Sequence, residues 1–144
     1  MLVRQILKSK PAQGVETVKP ELAVSDAAGL LSRKRIGSLV VSSDGKKPLG
    51  ILSERDIVRE LGRRGTGCLS QQVSALMTRK LVCCHQDDTA DEVLGKMTEG
   101  RFRHMPVLEG EAMIGLISIG DVVKARLSEL AMEKDALEGM IMGH

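Results

Sequence analysis

The sequence predicts a mixed α/β (α+β) fold in which two β-α-β-β-α repeats are followed by a long C-terminal helix. The stretches "GILSERDIV" (50–58) and "GLISIGDVV" (115–123) share a glycine, a short apolar run, a serine and an aspartate, a pattern typical of a strand that turns directly into a helix. Residues 15–41 also align without a gap with residues 81–107 at an offset of 66. One copy is too small to bury both faces of its sheet, so we expect the two copies to pack as a pseudo-two-fold pair.

The elements of each repeat follow from its sequence in order. Extended segments at residues 15–18 and 81–84 open the two copies, and apolar residues at helical spacing then predict helices near residues 25–33 and 89–99. The strands "SLVV" and "HMPV" come next, each followed by a glycine-containing turn and then by the strand and helix of the repeated motif.

Upstream of the repeats, "VRQILKSK" near the N-terminus aligns with "VSALMTRK" at an offset of 70. The chain is therefore predicted to divide into an N-terminal helix and linker, a first repeat, a second repeat and a C-terminal helical tail. The boundaries of these four segments are residues 1–14, 15–64, 73–127 and 128–144.

Composition argues against several classes of function. The net charge of +2 comes from 21 basic and 19 acidic residues without a long like-charge block, and Phe102 is the single aromatic residue, so nothing indicates a nucleic-acid-binding surface. No apolar run is long enough to cross a membrane, and the N-terminus lacks the apolar core of a secretory signal, so we expect a cytoplasmic protein. The sequence also lacks a motif that would supply a nucleophile or a metal-bound water, which predicts that the protein is not an enzyme.

The cysteines are interpreted as buried, reduced thiols. Cys68, Cys83 and Cys84 are odd in number, and adjacent cysteines seldom pair with each other, so no disulfide framework is indicated. A metal site at Cys83-Cys84-His85 is disfavoured because successive strand residues point to opposite faces and no second pair of ligands stands at zinc spacing.

The repeated Ser53-x-x-Asp56 and Ser118-x-x-Asp121 allow two compatible interpretations. The simpler one is a helix cap, in which the hydroxyl and the carboxylate satisfy free backbone N–H groups at the start of a helix. The alternative is a binding site, because a helix start attracts anions, a serine can donate to phosphate and a carboxylate can accept both hydroxyls of a ribose.

The sequence as a whole resembles the cystathionine-β-synthase (CBS) domain pair, or Bateman module, and especially the small stand-alone members of that family. The resemblance covers about residues 3–127 and depends on "TVKP", "KRIGSLVV", "GILSERDIV", "EGRFRHMPV" and "GLISIGDVVKARL". It implies a regulatory module that binds AMP, ADP or ATP, or in some members S-adenosylmethionine or NAD, and that acts on a partner protein.

The resemblance also implies a set of binding residues. The ribose-binding aspartates would be Asp56 and Asp121, and the phosphate-facing hydroxyls would be Ser53 and Ser118. The slots for the base would be lined by Thr17, Val18, Cys83, Cys84, Ile36, Phe102, Val40 and Pro106. Arg103 and His104 occupy the basic position before the middle strand of the second repeat.

The first repeat carries Gly37 and Ser38 at the positions of Arg103 and His104. The resemblance therefore implies unequal clefts, of which the second is suited to phosphate. The first must use Arg55 or a residue from the other half of the molecule.

The tail predicts an assembly. Its apolar residues keep nearly heptad spacing: Val123, Leu127, Leu130, Leu137 and Ile141. This amphipathic helix is expected to pack on the N-terminal segment that carries Leu2, Ile6 and Leu7, or across a two-fold axis, and the resemblance implies a homodimer. An alternative function is a constitutive protein-interaction or redox-partner module with no bound nucleotide.

Overall fold

The computed structural model describes residues 1–10 and 15–141. The first repeat contains β1 (Thr17–Val18), α2 (Val24–Lys34), β2 (Ser38–Val41), β3 (Gly50–Ser53) and α3 (Glu54–Arg64). The second contains β4 (Cys84–His85), α5 (Ala90–Gly100), β5 (His104–Glu109), β6 (Ala112–Ser118) and α6 (Ile119–Ile141). Helix α1 (Val3–Ser9) precedes the first repeat, and a 3₁₀ helix (Gly65–Ser70) and α4 (Val73–Leu76) connect the two repeats.

Each repeat forms one three-stranded sheet. The strand orders are β1-β2-β3 and β4-β5-β6, and in each sheet the first pair is parallel and the second pair is antiparallel. The register places Ser38 beside Ser53 in the first sheet and His104 beside Ser118 in the second. These sheets and helices confirm the predicted fold class and the β-α-β-β-α order within each repeat.

The short helices that precede the repeats are exchanged between them. Helix α4, which leads into the second repeat, contributes Val73 and Leu76 to the core of the first repeat. Helix α1, which leads into the first repeat, contributes Val3 and Ile6 to the core of the second. Each helix therefore connects the two halves of the molecule, because it packs on one repeat and the chain that follows it enters the other.

Two equivalent glycines allow these helices to approach the sheets. A Cβ atom on Gly50 would lie 2.6 Å from Met77 Sδ and 2.8 Å from the Thr78 carbonyl oxygen. A Cβ atom on Gly115 would lie 2.7 Å from Leu7 Cδ2. The glycine that opens each copy of the repeated motif is thus explained by close packing against a leading segment.

The last helix continues well past the second repeat. Helix α6 has 23 residues and crosses residues 127 and 128 without a break. It contacts α1 and α5, yet its apolar seam stays exposed, with Leu127 at 63% and Leu130 at 50% of full exposure. Packing on the N-terminal segment therefore does not cover the seam.

Three expectations from the sequence remain predictions. The four-segment division of the chain is one of them, and residues 11–14 and 142–144, which belong to its first and last segments, lie outside the described residues. The homodimer and the cytoplasmic location are the other two. None of the helices within the described ranges combines the length and the apolar character that a bilayer crossing requires.

Candidate functional site

The two Ser-x-x-Asp motifs cap the helices that follow them. Ser53 Oγ accepts a hydrogen bond from the Asp56 N–H at 3.2 Å, and Asp56 Oδ2 accepts one from the Ser53 N–H at 2.9 Å. Ser118 Oγ and Asp121 Oδ2 make the same reciprocal pair at 3.1 and 2.9 Å. The capping interpretation is confirmed, and each aspartate also borders a cavity.

The first of these cavities, here the Asp121 cavity, has a volume of about 590 Å³. The second repeat supplies Ser118, Asp121, His104 and the strand residues 114–116. The first repeat and the N-terminal segment supply the opposite walls: Val15, Glu16, Ile36, Gly37, Ser38, Leu7, Lys8 and Lys10. The cavity is therefore built from both halves of the chain.

The second cavity, here called the Asp56 cavity, has a volume of about 640 Å³. It is also built from both halves of the chain, with the roles of the two repeats reversed. Its first-repeat residues are Ile51, Ser53, Glu54, Arg55, Asp56, Arg59 and the shared Gly37. Its other residues come from the connection and the second repeat: Thr78, Lys80, Leu81, Val82, Gly100, Arg101, Phe102, Arg103 and His104. Both volumes fall in the range of about 300–1,000 Å³ that is usual for small-molecule sites.

The two aspartates have different cationic partners. Lys10 Nζ donates to Asp121 Oδ2 at 2.9 Å and to the Leu116 carbonyl oxygen at 2.8 Å. Burial raises the pKa of Asp121, but hydrogen bonds from Ser118 and Lys10 outweigh it and leave that pKa below the usual value. Asp56 is only 5% exposed and pairs with Arg59, whose Nη2 lies 3.0 Å from Asp56 Oδ1.

His104 lies between the cavities and borders both of them. Its imidazole Cε1 is within 3.8 Å of the position that a Cβ atom on Gly37 would take. Burial lowers the pKa of His104, although the nearby carboxylates of Asp121 and Glu54 act in the opposite direction. The ring is therefore held toward its neutral form at the boundary of the two cavities.

Part of the predicted residue set lies in these cavities. Ser53, Arg55, Asp56, Phe102 and Arg103 line the Asp56 cavity, and Ile36, Ser118 and Asp121 line the other, with His104 in both. The predicted association of Arg103 with Asp121 is wrong, because Arg103 lines the cavity of Asp56. Arg55 and cationic residues of the second repeat both line the Asp56 cavity, and the prediction that one of them meets phosphate stays a prediction.

The residues predicted to line the slots for a base need correction. The cavity walls are formed by Val15 and Glu16 and by Leu81 and Val82, just upstream of the predicted positions. The predicted positions are absent from both linings: Thr17, Val18, Cys83, Cys84, Val40 and Pro106. The physical reason is that Val18, Val40, Cys84 and Pro106 are buried strand residues, whereas the chain faces the cavities before it enters the strands.

Sequence reasoning missed the two lysines that follow the exchanged helices. Lys10 lines the Asp121 cavity and Lys80 lines the Asp56 cavity. They are equivalent in the alignment at an offset of 70, so their shared position was a usable signal. Ser38 was also missed. It is 5% exposed, borders the Asp121 cavity, and its Oγ has no hydrogen-bond partner among the described residues.

The environment of the cysteines favours their protonated form. Burial raises the pKa of Cys83, and burial raises that of Cys84 to about 12, so both remain thiols near neutral pH. Cys68 is buried in the core of the first repeat. Within residues 1–10 and 15–141, no three side chains of the metal-ligating types come together.

Comparison with known proteins agrees with this architecture. The family described as "CBS domain" matches residues 3–63 and 73–128. A mitochondrial CBS domain-containing protein of Arabidopsis thaliana, CBSX3, is 35% identical over 124 residues, which cover 83% of this chain and 60% of that protein. The crystal structure of ATU1752 from Agrobacterium tumefaciens is 43% identical, with a TM-score of 0.83, and covers 88% of this chain and 99% of that chain.

Two further solved structures contain ligands. CBSX2 was solved in complex with AMP; it is 27% identical, has a TM-score of 0.73, and covers 88% of this chain and 96% of that chain. The CBS domain pair of MJ0100 was solved with 5′-methylthioadenosine and S-adenosyl-L-methionine; it is 25% identical, has a TM-score of 0.76, and covers 90% and 98% of the two chains. Together with the match of both repeats, these similarities lead to one conclusion: the chain belongs to the CBS domain family and contains a pair of CBS domains.

Proposed function

We propose that this protein is a regulatory module without catalytic activity that binds adenine nucleotides in the Asp56 and Asp121 cavities and acts on a partner protein. The observation that carries the proposal is the composition of each cavity. A helix-capping aspartate faces apolar walls contributed by the other repeat, with cationic side chains at the same cavity. These features match the three parts of a nucleotide: ribose, base and phosphate.

The aspartates are suited to the ribose. Asp121 Oδ2 is occupied by Ser118 and Lys10, and the described residues supply no hydrogen-bond donor to Oδ1. Asp56 Oδ1 accepts only the Arg59 guanidinium among the described residues. A ribose diol can donate to such oxygens, and hydrogen bonds to a charged group are among the stronger ones in proteins.

Ser38 supports a ligand in the Asp121 cavity specifically. A buried hydroxyl without a partner is costly, and native proteins contain few of them. Since Ser38 lies at the cavity wall, a bound ligand with a polar edge would satisfy it. An adenine ring offers both donors and acceptors on its edge.

Two ligand-binding relatives support the choice of adenine. AMP in CBSX2 and S-adenosyl-L-methionine in MJ0100 share an adenosine group. AMP, ADP and ATP are therefore the first ligands to test, followed by S-adenosylmethionine and NAD. Because ligands would join segments from both repeats, their binding would stabilise one arrangement of the two halves, and this arrangement is the signal we propose the partner reads.

We also propose that the molecule is a homodimer held by α6. The seam leaves large apolar side chains exposed on one helix: Val123, Leu127, Leu130, Leu137 and Ile141. An exposed apolar face of this kind, interrupted only by Lys134, marks an interaction surface more often than a free one.

Thermal unfolding tests the proposal. A ligand that binds only the folded state raises the melting temperature, so AMP, ADP, ATP, S-adenosylmethionine and NAD are each added to the intact protein. At least one adenine ligand is expected to raise the melting temperature, whereas UMP and UTP, which carry the same phosphates, serve as controls for the base.

Substitution of Asp56→Asn and Asp121→Asn together provides the second control, because asparagine keeps a capping oxygen but loses the charge. The double variant should show a much smaller ligand-dependent rise at the same ligand concentration, because both altered sites bind more weakly. If no adenine ligand stabilises the wild-type protein, the proposed nucleotide binding is overturned, and the constitutive interaction module becomes the function to test.

A further inference from the structure

The two cavities differ in charge. Five cationic side chains line the Asp56 cavity against the two carboxylates of Glu54 and Asp56, which gives a net formal charge of +3 with His104 neutral. The Asp121 cavity has two lysines, Lys8 and Lys10, against Glu16 and Asp121, so its net formal charge is zero. The two repeats therefore have the same fold, but the two cavities differ in net formal charge.

The difference increases once existing ion pairs are considered. In the Asp121 cavity, Lys10 is bound to Asp121 at 2.9 Å. In the Asp56 cavity, Arg59 is bound to Asp56 at 3.0 Å. Four further cations of that cavity, Arg55, Lys80, Arg101 and Arg103, form no ion pair with any described residue.

These four side chains come from three separate parts of the chain. Arg55 is in the first turn of α3, and Lys80 follows α4 in the connection between the repeats. Arg101 and Arg103 flank Phe102 in the turn between α5 and β5. All four are exposed, so their charged ends can adjust to a ligand. Cations from three segments at one cavity fit an extended anion better than a single phosphate group.

We infer that the Asp56 cavity is the site for an adenosine oligophosphate, a di- or triphosphate, whereas the Asp121 cavity takes adenosine or an ester with a single phosphate. This inference rests on the proposed function, which assigns adenosine to both cavities. Arginine donates two parallel hydrogen bonds to phosphate, and each added phosphate group gives the unpaired cations a further partner. Ile51, Leu81 and Phe102 supply the apolar wall for the base.

Calorimetric titration of the full chain with adenosine, AMP, ADP and ATP tests the inference. EDTA is included so that divalent cations do not neutralise the phosphates. In the Asp121→Asn variant the Asp56 cavity remains the tighter site, and we expect affinity to rise about tenfold or more from AMP to ATP, as charge-assisted hydrogen bonds are added. In the Asp56→Asn variant the Asp121 cavity is the tighter site, and we expect its affinities for AMP and ATP to differ by less than about threefold.

Single substitutions then identify the phosphate-binding side chains. Arg103→Gln and Lys80→Gln, each in the Asp121→Asn background, should weaken ATP binding about tenfold while changing adenosine binding by less than about twofold. Unchanged adenosine binding also shows that each variant is folded. Arg33→Gln removes an exposed arginine of α2 that lies outside both cavities and should alter neither affinity.

The outcomes separate the inference from the proposed function. Equal affinities for adenosine, AMP and ATP at the Asp56 cavity would overturn the inference and leave the proposed function intact. A preference for ATP at the Asp121 cavity would also overturn it. Failure of all four compounds to bind the wild-type protein would overturn the proposed function, and the inference with it.

Discussion

At the scale of single residues, the same side chains that begin a helix also border a cavity. Asp121 accepts hydrogen bonds from the Ser118 backbone and from Lys10, and Asp56 accepts them from Ser53 and Arg59. These bonds fix the carboxylates before any ligand arrives, so little ordering remains when one binds. The capping role was evident from the sequence because serine and aspartate three residues apart have a local explanation.

The partners of these aspartates were not evident from the sequence. Lys10 is 111 residues away from Asp121 in the chain. Arg103 lines the Asp56 cavity only because the second repeat forms one wall of that cavity. Local patterns predict which residue caps a helix, but they do not predict which distant segment faces it. The slots for the base were misplaced for a related reason, since the strand residues themselves are buried in the cores.

The pH dependence of stability tests the position of His104. Burial lowers the pKa of His104 below its ordinary value of 6.5, so the unfolded chain takes up a proton at a higher pH than the folded chain. The stability contributed by neutral His104 is therefore present above the unfolded pKa and is lost as the pH falls from the unfolded pKa through the lower folded pKa. Asp121 and Glu54 oppose this shift, and Lys10 and Arg103 add to it.

Urea unfolding at about pH 7.5 and about pH 5.5 measures this effect. The wild-type protein should lose more free energy of unfolding between the two pH values than His104→Gln, which cannot titrate. Substitution of the exposed His85→Gln is the matched control and should behave as the wild type. Equal losses in the wild type and in His104→Gln would show that the imidazole is accessible to protons in the folded protein.

At the scale of elements, helix and strand order followed from the sequence because apolar spacing is a local property. Helix α2 begins at Val24 and α5 begins at Ala90, each within one residue of its predicted start. The exchange of α1 and α4 between the repeats was not predicted. Both helices have similar apolar faces, so the sequence alone does not show which core each one enters.

The glycines of the repeated motif provide a test of this exchange. Gly50→Ala should lower the free energy of unfolding by about 1–3 kcal/mol, because its Cβ would overlap Met77 and the Thr78 backbone. Gly95→Ala is the control, since Gly95 lies within α5 and its Cβ would meet nothing within 4 Å. There alanine should raise stability by roughly 0.5–1 kcal/mol. Chemical denaturation of the two variants gives both values, and a neutral Gly50→Ala would contradict the close approach of α4.

At the scale of the whole molecule, the repeats create two related cavities with different charge. The internal repeat was visible in the sequence, and so was an inequality between the clefts. The sequence placed Arg103 beside Asp121, whereas the structure places it at the Asp56 cavity, because its position depends on how the two halves pack. The position of Lys10 in the Asp121 cavity likewise results from the exchanged helix α1.

The exposed seam of α6 predicts dimerisation. Light scattering of the intact chain should give about twice the mass of 15.6 kDa. Leu127→Glu together with Leu130→Glu should yield a monomer, because two charges would be placed in the apolar contact. Substitutions are used here in place of a truncated tail, because a truncation that begins at Glu129 would also remove the ion pair between Glu129 and the N-terminal amine.

Lys124→Glu adds a negative charge at an exposed position of the same helix that is not part of the seam, so it should leave the dimer intact. A wild-type monomer at tens of micromolar would contradict the proposed dimer. A dimer that survives both leucine substitutions would place the interface elsewhere on the molecule.

The central claim is that each cavity binds one adenine nucleotide through its own aspartate, and calorimetric stoichiometry tests it most directly. With AMP at saturating concentration, the wild-type chain should bind two molecules, Asp56→Asn and Asp121→Asn should each retain one tight site, and the double variant should retain no tight site. Loss of one hydrogen-bonded charge is expected to weaken the altered site by roughly 1.5–3 kcal/mol. Unchanged stoichiometry and affinity in the double variant, or no binding to the wild type, would contradict the claim.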